Sequence, residues 1–197
     1  MNDVPQLKRR RVRAVLAGGL VLGVGAAVTL AAWNDSEFAT GSFAGGQFNL
    51  VGSTDGTNFT DHATATDAAD LGFVVDADEL TPNDVVYAPF AVALDGTTSY
   101  GATVTVSSEA LAGSLKDLTY ELLQTTGFGC TATTTGTALV PAGTALGTVP
   151  AGVTFSLEEA TGTALAPANL CFKVTAGDIA QGISGSATWE FAAESLS

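Results

Sequence analysis

The chain has 197 residues with 20 acidic and 7 basic side chains, so its formal net charge is −13 at pH 7. A surface of this sign repels nucleic acids and anionic lipids, which excludes both as main partners. One histidine and two cysteines are too few for a structural zinc site. The length suffices for one domain with a sizeable core, and no internal repeat or second domain is visible.

The N-terminus has the three parts of a secretory signal peptide. Five of the seven basic residues lie within the first thirteen positions, an uncharged run follows over 14–32, and small residues end that run. Its length alone would allow a membrane span, but four glycines and six alanines make it only mildly apolar. We therefore predict a signal peptide over 1–32, removed between Ala32 and Trp33, although a cut after Ala31 also fits.

Signal removal leaves a strongly acidic protein. Lys116 and Lys173 are then the only basic residues against nineteen acids, which gives a net charge of −17. Such a charge keeps an exported protein soluble. No C-terminal sorting motif and no second hydrophobic run follow, so we expect a secreted protein without membrane contact after processing.

Two cysteines, Cys130 and Cys171, form an even pair. In an exported chain such a pair more often forms a disulfide than stays reduced. The bridge would close a loop of about forty residues and stabilise the fold by roughly 3–4 kcal/mol. The alternative is two buried thiols.

Alternating apolar and polar residues predict strands throughout the chain beyond residue 33. Five runs have apolar side chains at every second position, and they contain Phe90, Val104, Phe155, Phe172 and Trp189. Many short strands separated by turns predict an all-β fold, an antiparallel sandwich. We assign the sandwich to residues 51–197 and a separate N-terminal segment to 33–50.

Turn residues mark the ends of one predicted strand, and helix signals are few. Thr81-Pro82-Asn83-Asp84 precedes the strand that starts at Val85, and Asp95-Gly96 ends it. Residues 131–152 are rich in Thr, Ala and Gly and predict a loop or an irregular hairpin. Single helical turns are predicted from Ser107 to Leu111 and from Asp76 to Leu80.

Two stretches near the predicted cleavage site carry a resemblance to a known family. Trp33-Asn34-Asp35 follows Ala31-Ala32, and Phe43-Ala44-Gly45-Gly46-Gln47-Phe48-Asn49-Leu50 comes soon after. This start resembles that of the TasA/camelysin family, in which Ala-Ala precedes an aromatic-Asn-Asp and then a Phe-x-x-Gly-x-x-x-Leu segment. "LTPNDVV" over 80–86 is similar to the family's Pro-Gly-Asp turn, with Asn83 in place of Gly.

The resemblance implies a jelly-roll-like sandwich exported with an alternate (SipW-type) signal peptide and cut by a dedicated signal peptidase. It also implies a matrix or cell-surface protein that polymerises. In TasA-type fibres the N-terminal segment of one subunit completes the sheet of the next. The predicted partners are therefore copies of this chain or a related matrix subunit. The predicted assembly residues are Trp33, Asn34, Asp35, Phe38, Phe43 and Phe48.

In an alternative interpretation, the segment Phe43–Leu50 pairs within its own subunit, as the first strand of its own sandwich. The protein would then be a monomeric extracellular binding module. Oxygen-rich loops can bind calcium, and the candidate ligands are Asp76, Asp78 and Glu79. Their spacing matches no EF-hand loop, and acids in loops are commonly just solvated.

A metalloprotease is the third interpretation, because the camelysin branch has been described as one. A zinc hydrolase needs about three protein ligands, often in a His-Glu-x-x-His motif. His62 is the one histidine of the chain and lies in a polar stretch, "NFTDHATATD". We therefore expect no enzyme, no catalytic residue and no cofactor other than calcium.

Overall fold

The computed structural model describes residues 8–16, 36–73 and 77–196. The chain forms two compact units, Met1–Ala44 and Gly45–Ser197. In the first unit residues 8–16 form helix α1, whose side chains are exposed, and residues 36–44 have no regular secondary structure. Among the described residues no helix combines the length and the apolar character needed to cross a membrane.

The second unit is built from antiparallel strands, which confirms the predicted all-β sandwich. In chain order the strands are β1 (Leu50–Ser53), β2 (Val85–Leu94), β3 (Ala102–Ser108), β4 (Ala112–Gly113), β5 (Leu118–Thr125), β6 (Thr137–Ala145), β7 (Thr154–Leu157), β8 (Ala168–Ala176), β9 (Gly185–Ser186) and β10 (Trp189–Ser195). Five form one sheet in the order β1-β2-β8-β5-β6, and three form another in the order β10-β3-β7. The short strands β4 and β9 pair with each other.

The alternation seen in the sequence decides which side chains enter the core. In β3 the side chains of Ala102, Val104 and Val106 are buried, and Thr105 between them is exposed. Both sheets contribute to one large apolar cluster. Its largest fully buried side chains are Tyr120, Phe172, Leu94, Leu122, Leu157 and Leu170.

The middle of the chain departs most from the sequence prediction. Strand β5, which the alternating patterns did not indicate, lies between β8 and β6. Its adjacent leucines, Leu122 and Leu123, are both buried because they face two different apolar clusters. Strand β6 falls inside the predicted loop or irregular hairpin, and its pairing with β5 has two register shifts.

The helical turn predicted from Ser107 to Leu111 is wrong. Ser107 and Ser108 end β3, and the N–H of Glu109 donates to the carbonyl of Thr188 at 3.0 Å. This bond extends the ladder between β3 and β10, so the backbone stays extended where a cap was expected. The second predicted turn includes Asp76, which lies outside the described residues.

The disulfide between Cys130 and Cys171 is present as predicted. It fastens the loop between β5 and β6 to the outer face of β8, where Leu123 and Tyr87 join a small second apolar cluster. Lys173 reinforces the same loop, because its Nζ donates to the carbonyl of Thr134 at 2.7 Å. The loop therefore shields the outer face of the central strand from water.

Replacing Cys130 and Cys171 together by alanine should destabilise the fold by about 4 kcal/mol, because a closed loop with a sequence separation of 41 residues restricts the unfolded chain. Urea unfolding of the oxidised protein and the double variant, followed by circular dichroism, measures the difference. The reduced wild type is the control and should match the variant. Equal midpoints for the oxidised protein and the variant would contradict the expectation.

Asn83 is the one non-glycine residue of the described chain with a positive φ, 74°. The left-handed conformation strains a Cβ, and asparagine tolerates it better than most residues. We expect Asn83→Ala to lower the unfolding free energy by about 1 kcal/mol. The matched variant Asn83→Gly should unfold no earlier than the wild type, and a loss as large as that of the alanine variant would refute the explanation.

Candidate functional site

The two sheets differ in width, and this difference opens a cleft between them. Neighbouring strands lie about 4.8 Å apart, so three strands cannot cover five. The cleft has a volume of about 1400 Å³. Ordinary small-molecule pockets measure roughly 300–1000 Å³, so this space suits a longer occupant such as an extended chain segment.

The walls of the cleft are mainly apolar and come from both sheets. The five-stranded sheet supplies its floor through β1, β2 and β8, and β10 of the other sheet forms one side. The rim comes from the loop before β2 and the loop between β8 and β10. The larger apolar side chains in the lining include Leu50, Leu71, Phe73, Phe90, Phe172, Ile179, Ile183, Trp189 and Phe191.

Two polar nitrogens are buried in this lining. His62 Nδ1 and Trp189 Nε1 have no hydrogen-bond partner among the described residues. The Trp189 ring packs against Phe172, with ring centroids 4.6 Å apart, and against Tyr120 at 5.5 Å. Burial raises the pKa of Tyr120, and the nearby indole N–H opposes that shift without being aligned for a hydrogen bond.

Strand β10 has one hydrogen-bonded neighbour, β3, within the part of the chain that the structure describes. Thr188 accepts from Glu109 at 3.0 Å, and Leu196 donates to Gly101 at 2.8 Å, so the even-numbered residues are the ones that bond to β3. The odd-numbered residues direct their N–H and C=O groups the other way. Three of these odd-numbered residues also have side chains that face the core: Trp189, Phe191 and Ala193.

The other three edges of the two large sheets are short or irregular. Strands β1 and β7 have four residues each, and Gly52 of β1 exchanges backbone hydrogen bonds of 2.9 Å with Thr60. Strand β6 contains Pro141, two register shifts and Gly143 with a φ of 83°. In contrast, β10 has seven residues in unbroken register and no proline. Proteins usually blunt long regular edges, and at β10 the charged side chains Glu190 and Glu194 stand on the solvent face without a proline or a register shift.

Residues 47–49 are the first to hydrogen-bond to the sandwich, and they lie beside the end of the cleft. Ser99 N–H donates to the carbonyl of Gln47 at 3.1 Å, and Asn49 N–H donates to Thr98 Oγ1 at 3.0 Å. Gly101, two residues after Ser99, bonds to Leu196, the residue that follows β10. The entry point therefore lies near the C-terminal end of β10.

Asp95 holds this entry point together. Its carboxylate accepts hydrogen bonds from the N–H and hydroxyl of Thr97, at 2.9 and 2.8 Å, and from the Thr98 hydroxyl at 3.0 Å. It also accepts from Asn49 Nδ2 at 3.2 Å, which ties the segment before β1 to the turn between β2 and β3.

The predicted assembly residues fall in three settings. Trp33, Asn34 and Asp35 lie outside the described residues, as does Ala32 of the cleavage site. Phe38 and Phe43 are each 97 % exposed. Phe48 is 41 % exposed and lines the cleft of its own chain, between the anchored residues Gln47 and Asn49.

The calcium ligands stay a prediction. Asp76 lies outside the described residues, and Asp78 and Glu79 are exposed on the rim of the cleft. Across residues 8–16, 36–73 and 77–196, no three His, Cys, Asp or Glu side chains are grouped closely enough to hold a metal ion.

The sequence did not reveal the edge of β10 or the role of Asp95. The alternating pattern located the strand around Trp189, but its place at a sheet edge depends on pairing with distant residues. For the Asp95 carboxylate the sequence holds only a local signal. An aspartate followed by Gly-Thr-Thr is typical of a turn in which the threonine hydroxyls donate to the carboxylate.

Compared with models of known protein families and with curated protein sequences, the chain matches none. The function must therefore be argued from the geometry of the cleft and its edge strand.

The hydrogen bonds to Asp95, from the Thr97 hydroxyl above all, lower its pKa to about 2. A carboxyl group with a lowered folded pKa stabilises the fold above its unfolded pKa of about 3.9, and this contribution is lost as the pH falls towards 2. We expect the unfolding free energy to fall over this range, and to fall less in Asp95→Asn. Urea unfolding at pH 5 and pH 2.5 measures both slopes.

Asp178→Asn is the charge-matched control for this experiment, because it removes one carboxylate from the exposed loop after β8. Its pH slope should stay close to that of the wild type. A slope for Asp95→Asn as steep as the control's would show that the Asp95 hydrogen bonds do not couple folding to pH.

Proposed function

We propose that this protein is an exported structural subunit that assembles into fibres by strand exchange, with the N-terminal segment of one subunit pairing with β10 of the next. The observation that carries the proposal is the seven-residue edge of β10, which no other strand of the described residues pairs, beside an apolar cleft. The resemblance to the TasA/camelysin family supports a bacterial cell surface or biofilm matrix as the setting.

An added strand meets two physical needs of this site at once. Its backbone would satisfy the outward N–H and C=O groups of Trp189, Phe191 and Ala193, in the manner of β-strand addition. Its inward side chains would cover apolar surface that the narrower sheet leaves open to water, at a gain of roughly 25 cal/mol for each Å².

Residues 36–46, which we call the arm, have the composition that such a donor needs. The arm carries one charge, on Glu37, and two phenylalanines that are 97 % exposed, Phe38 and Phe43. Eleven residues extend about 36 Å at 3.3 Å per residue, against about 23 Å for the seven residues of β10. The arm is therefore long enough to follow the whole edge.

The entry point of the chain favours exchange between subunits over closure within one. The arm is followed by Gln47, which bonds to the sandwich near the C-terminal end of β10. If it folded back along β10 of its own chain from there, it would run parallel to that strand. Parallel pairing is slightly less stable than antiparallel pairing, and every named strand pair of the sandwich is antiparallel. An arm from another copy has no such restriction.

The disulfide and the acidic charge are compatible with an extracellular protein. Disulfides persist in oxidising compartments, and the bridge between Cys130 and Cys171 is buried in the sandwich. Export would proceed through the signal peptide predicted over 1–32, with a signal peptidase as the transient partner.

Protein that starts at Trp33 should form filaments under negative-stain microscopy, because it carries the complete arm. Protein that starts at Gly46 should stay monomeric while keeping the circular dichroism spectrum and thermal unfolding of the longer form. Monomers from both, over a wide range of concentration and pH, would refute strand exchange and favour a monomeric binding module.

A proline at Ala193 tests the edge itself, because it removes an N–H that points away from β3. The matched control is Ser156→Pro in β7. Its N–H also points away from β3, because Val153, the residue before β7, accepts from Val106 and the odd-numbered residues therefore bond to β3. We expect Ala193→Pro to lose assembly and Ser156→Pro to retain it, as measured by light scattering. Thermal unfolding checks that both variants are folded, and assembly by a folded Ala193→Pro variant would exclude β10 as the acceptor.

A further inference from the structure

We propose that the arm enters the cleft by one face, which presents Phe43 to the core, and that Phe38 stays on the solvent side. The inference rests on the proposed strand exchange and concerns which residue of the incoming copy the cleft recognises. It narrows the predicted set of assembly residues to a single aromatic anchor.

The spacing of the aromatic residues shows why they cannot all face the cleft. Trp33, Phe38, Phe43 and Phe48 follow one another at intervals of five. Successive side chains of a strand point to opposite faces, so an odd separation places two residues on opposite sides. A regular strand therefore directs either Phe38 or Phe43 into the cleft, never both.

The residues that share a face with each phenylalanine separate the two choices. Close to Phe43, the same face carries Ala39, Gly41 and Gly45, which are small and without polar side chains. Glu37 also belongs to this face, but it lies six residues from Phe43, about 20 Å along an extended strand. When residues 39–45 pair with the seven residues of β10, its carboxylate falls beyond the end of the edge. Phe38 shares its face with Ser36, Thr40 and Ser42, whose hydroxyl groups would need partners if buried. A strand at the edge of a sandwich turns its apolar face to the core and its polar face to water. The Phe43 face is therefore the inward one.

The surface beside β10 suits one aromatic ring of the arm that has a glycine on either side. On β10 the side chains next to the incoming strand include Trp189 and Phe191, and both project towards the core. Gly41 and Gly45, two positions on either side of Phe43, leave room for these bulky neighbours. Aromatic rings already meet here, with Phe90 and Phe191 centroids 5.7 Å apart, so an added phenyl ring finds edge and face partners.

On the floor of the cleft, a glycine in β1 makes room for two ring side chains. A Cβ on Gly52 of β1 would lie 2.7 Å from the Phe90 ring and 3.4 Å from His62 Nδ1. Gly52 thus lets Phe90 and His62 lie close over β1, where both line the cleft. The inserted ring would meet a surface of flat side chains on β2 and β10.

The test compares Phe43→Ala with Phe38→Ala in the chain that starts at Trp33. Both remove one phenyl ring from a side chain that is 97 % exposed, so neither should alter the fold of the subunit. We expect Phe43→Ala to raise the critical concentration for assembly at least tenfold, and Phe38→Ala to change it less than twofold, as measured by sedimentation. Equal effects, or a larger effect of Phe38→Ala, would overturn the inference while leaving strand exchange intact.

Peptides with the sequence of residues 36–46 give a second readout that involves no variant protein. An excess of the natural peptide, or of its Phe38→Ala form, should cap β10 and suppress assembly of the chain that starts at Trp33. The Phe43→Ala peptide should have little effect, and inhibition as strong as the natural peptide's would refute the inference. If the unaltered chain does not assemble at all, the proposed function fails and the inference falls with it.

Discussion

Backbone hydrogen bonding at β10 is the physical constraint on which the proposed site depends. The strand is held on one side by β3, and on the other side its outward N–H and C=O groups border an apolar cleft. Buried backbone groups in folded proteins are nearly always paired. The edge and the cleft thus define one site, because a strand that satisfies the edge also covers the apolar surface beside it.

The rest of the sandwich holds this site in place. Trp189 packs on Phe172 of β8, and Phe191 packs on Phe90 of β2, so β10 is fixed against the five-stranded sheet through its aromatic side chains. The disulfide secures the outer face of β8, and Asp95 secures the segment from which the arm leaves. Within the sandwich, both the edge of β10 and the residues that follow the arm are therefore held in place.

Charge would oppose the proposed assembly. With the predicted signal peptide removed, the proposed subunits would carry a net charge of −17 and repel one another over about one Debye length, which is roughly 8 Å at physiological ionic strength. The arm brings one carboxylate, Glu37, and β10 carries Glu190 and Glu194 on its solvent face. These carboxylates would add to the repulsion at the proposed contact, and added salt would screen it and favour association.

The sequence by itself determined the strands that follow an unbroken alternation, the turns around β2 and the disulfide, because each depends on local periodicity, on a turn-forming residue such as Asn83, or on an even cysteine pair. Only the tertiary structure decided that β5 is an interior strand, that β6 forms within the Thr-rich stretch, and that Glu109 continues a ladder. It alone also placed Trp189, Phe191 and Ala193 at a sheet edge that has no partner strand within residues 36–73 and 77–196. Edges and clefts arise from pairing between residues far apart in the chain, and local patterns of polarity do not record which strands become neighbours.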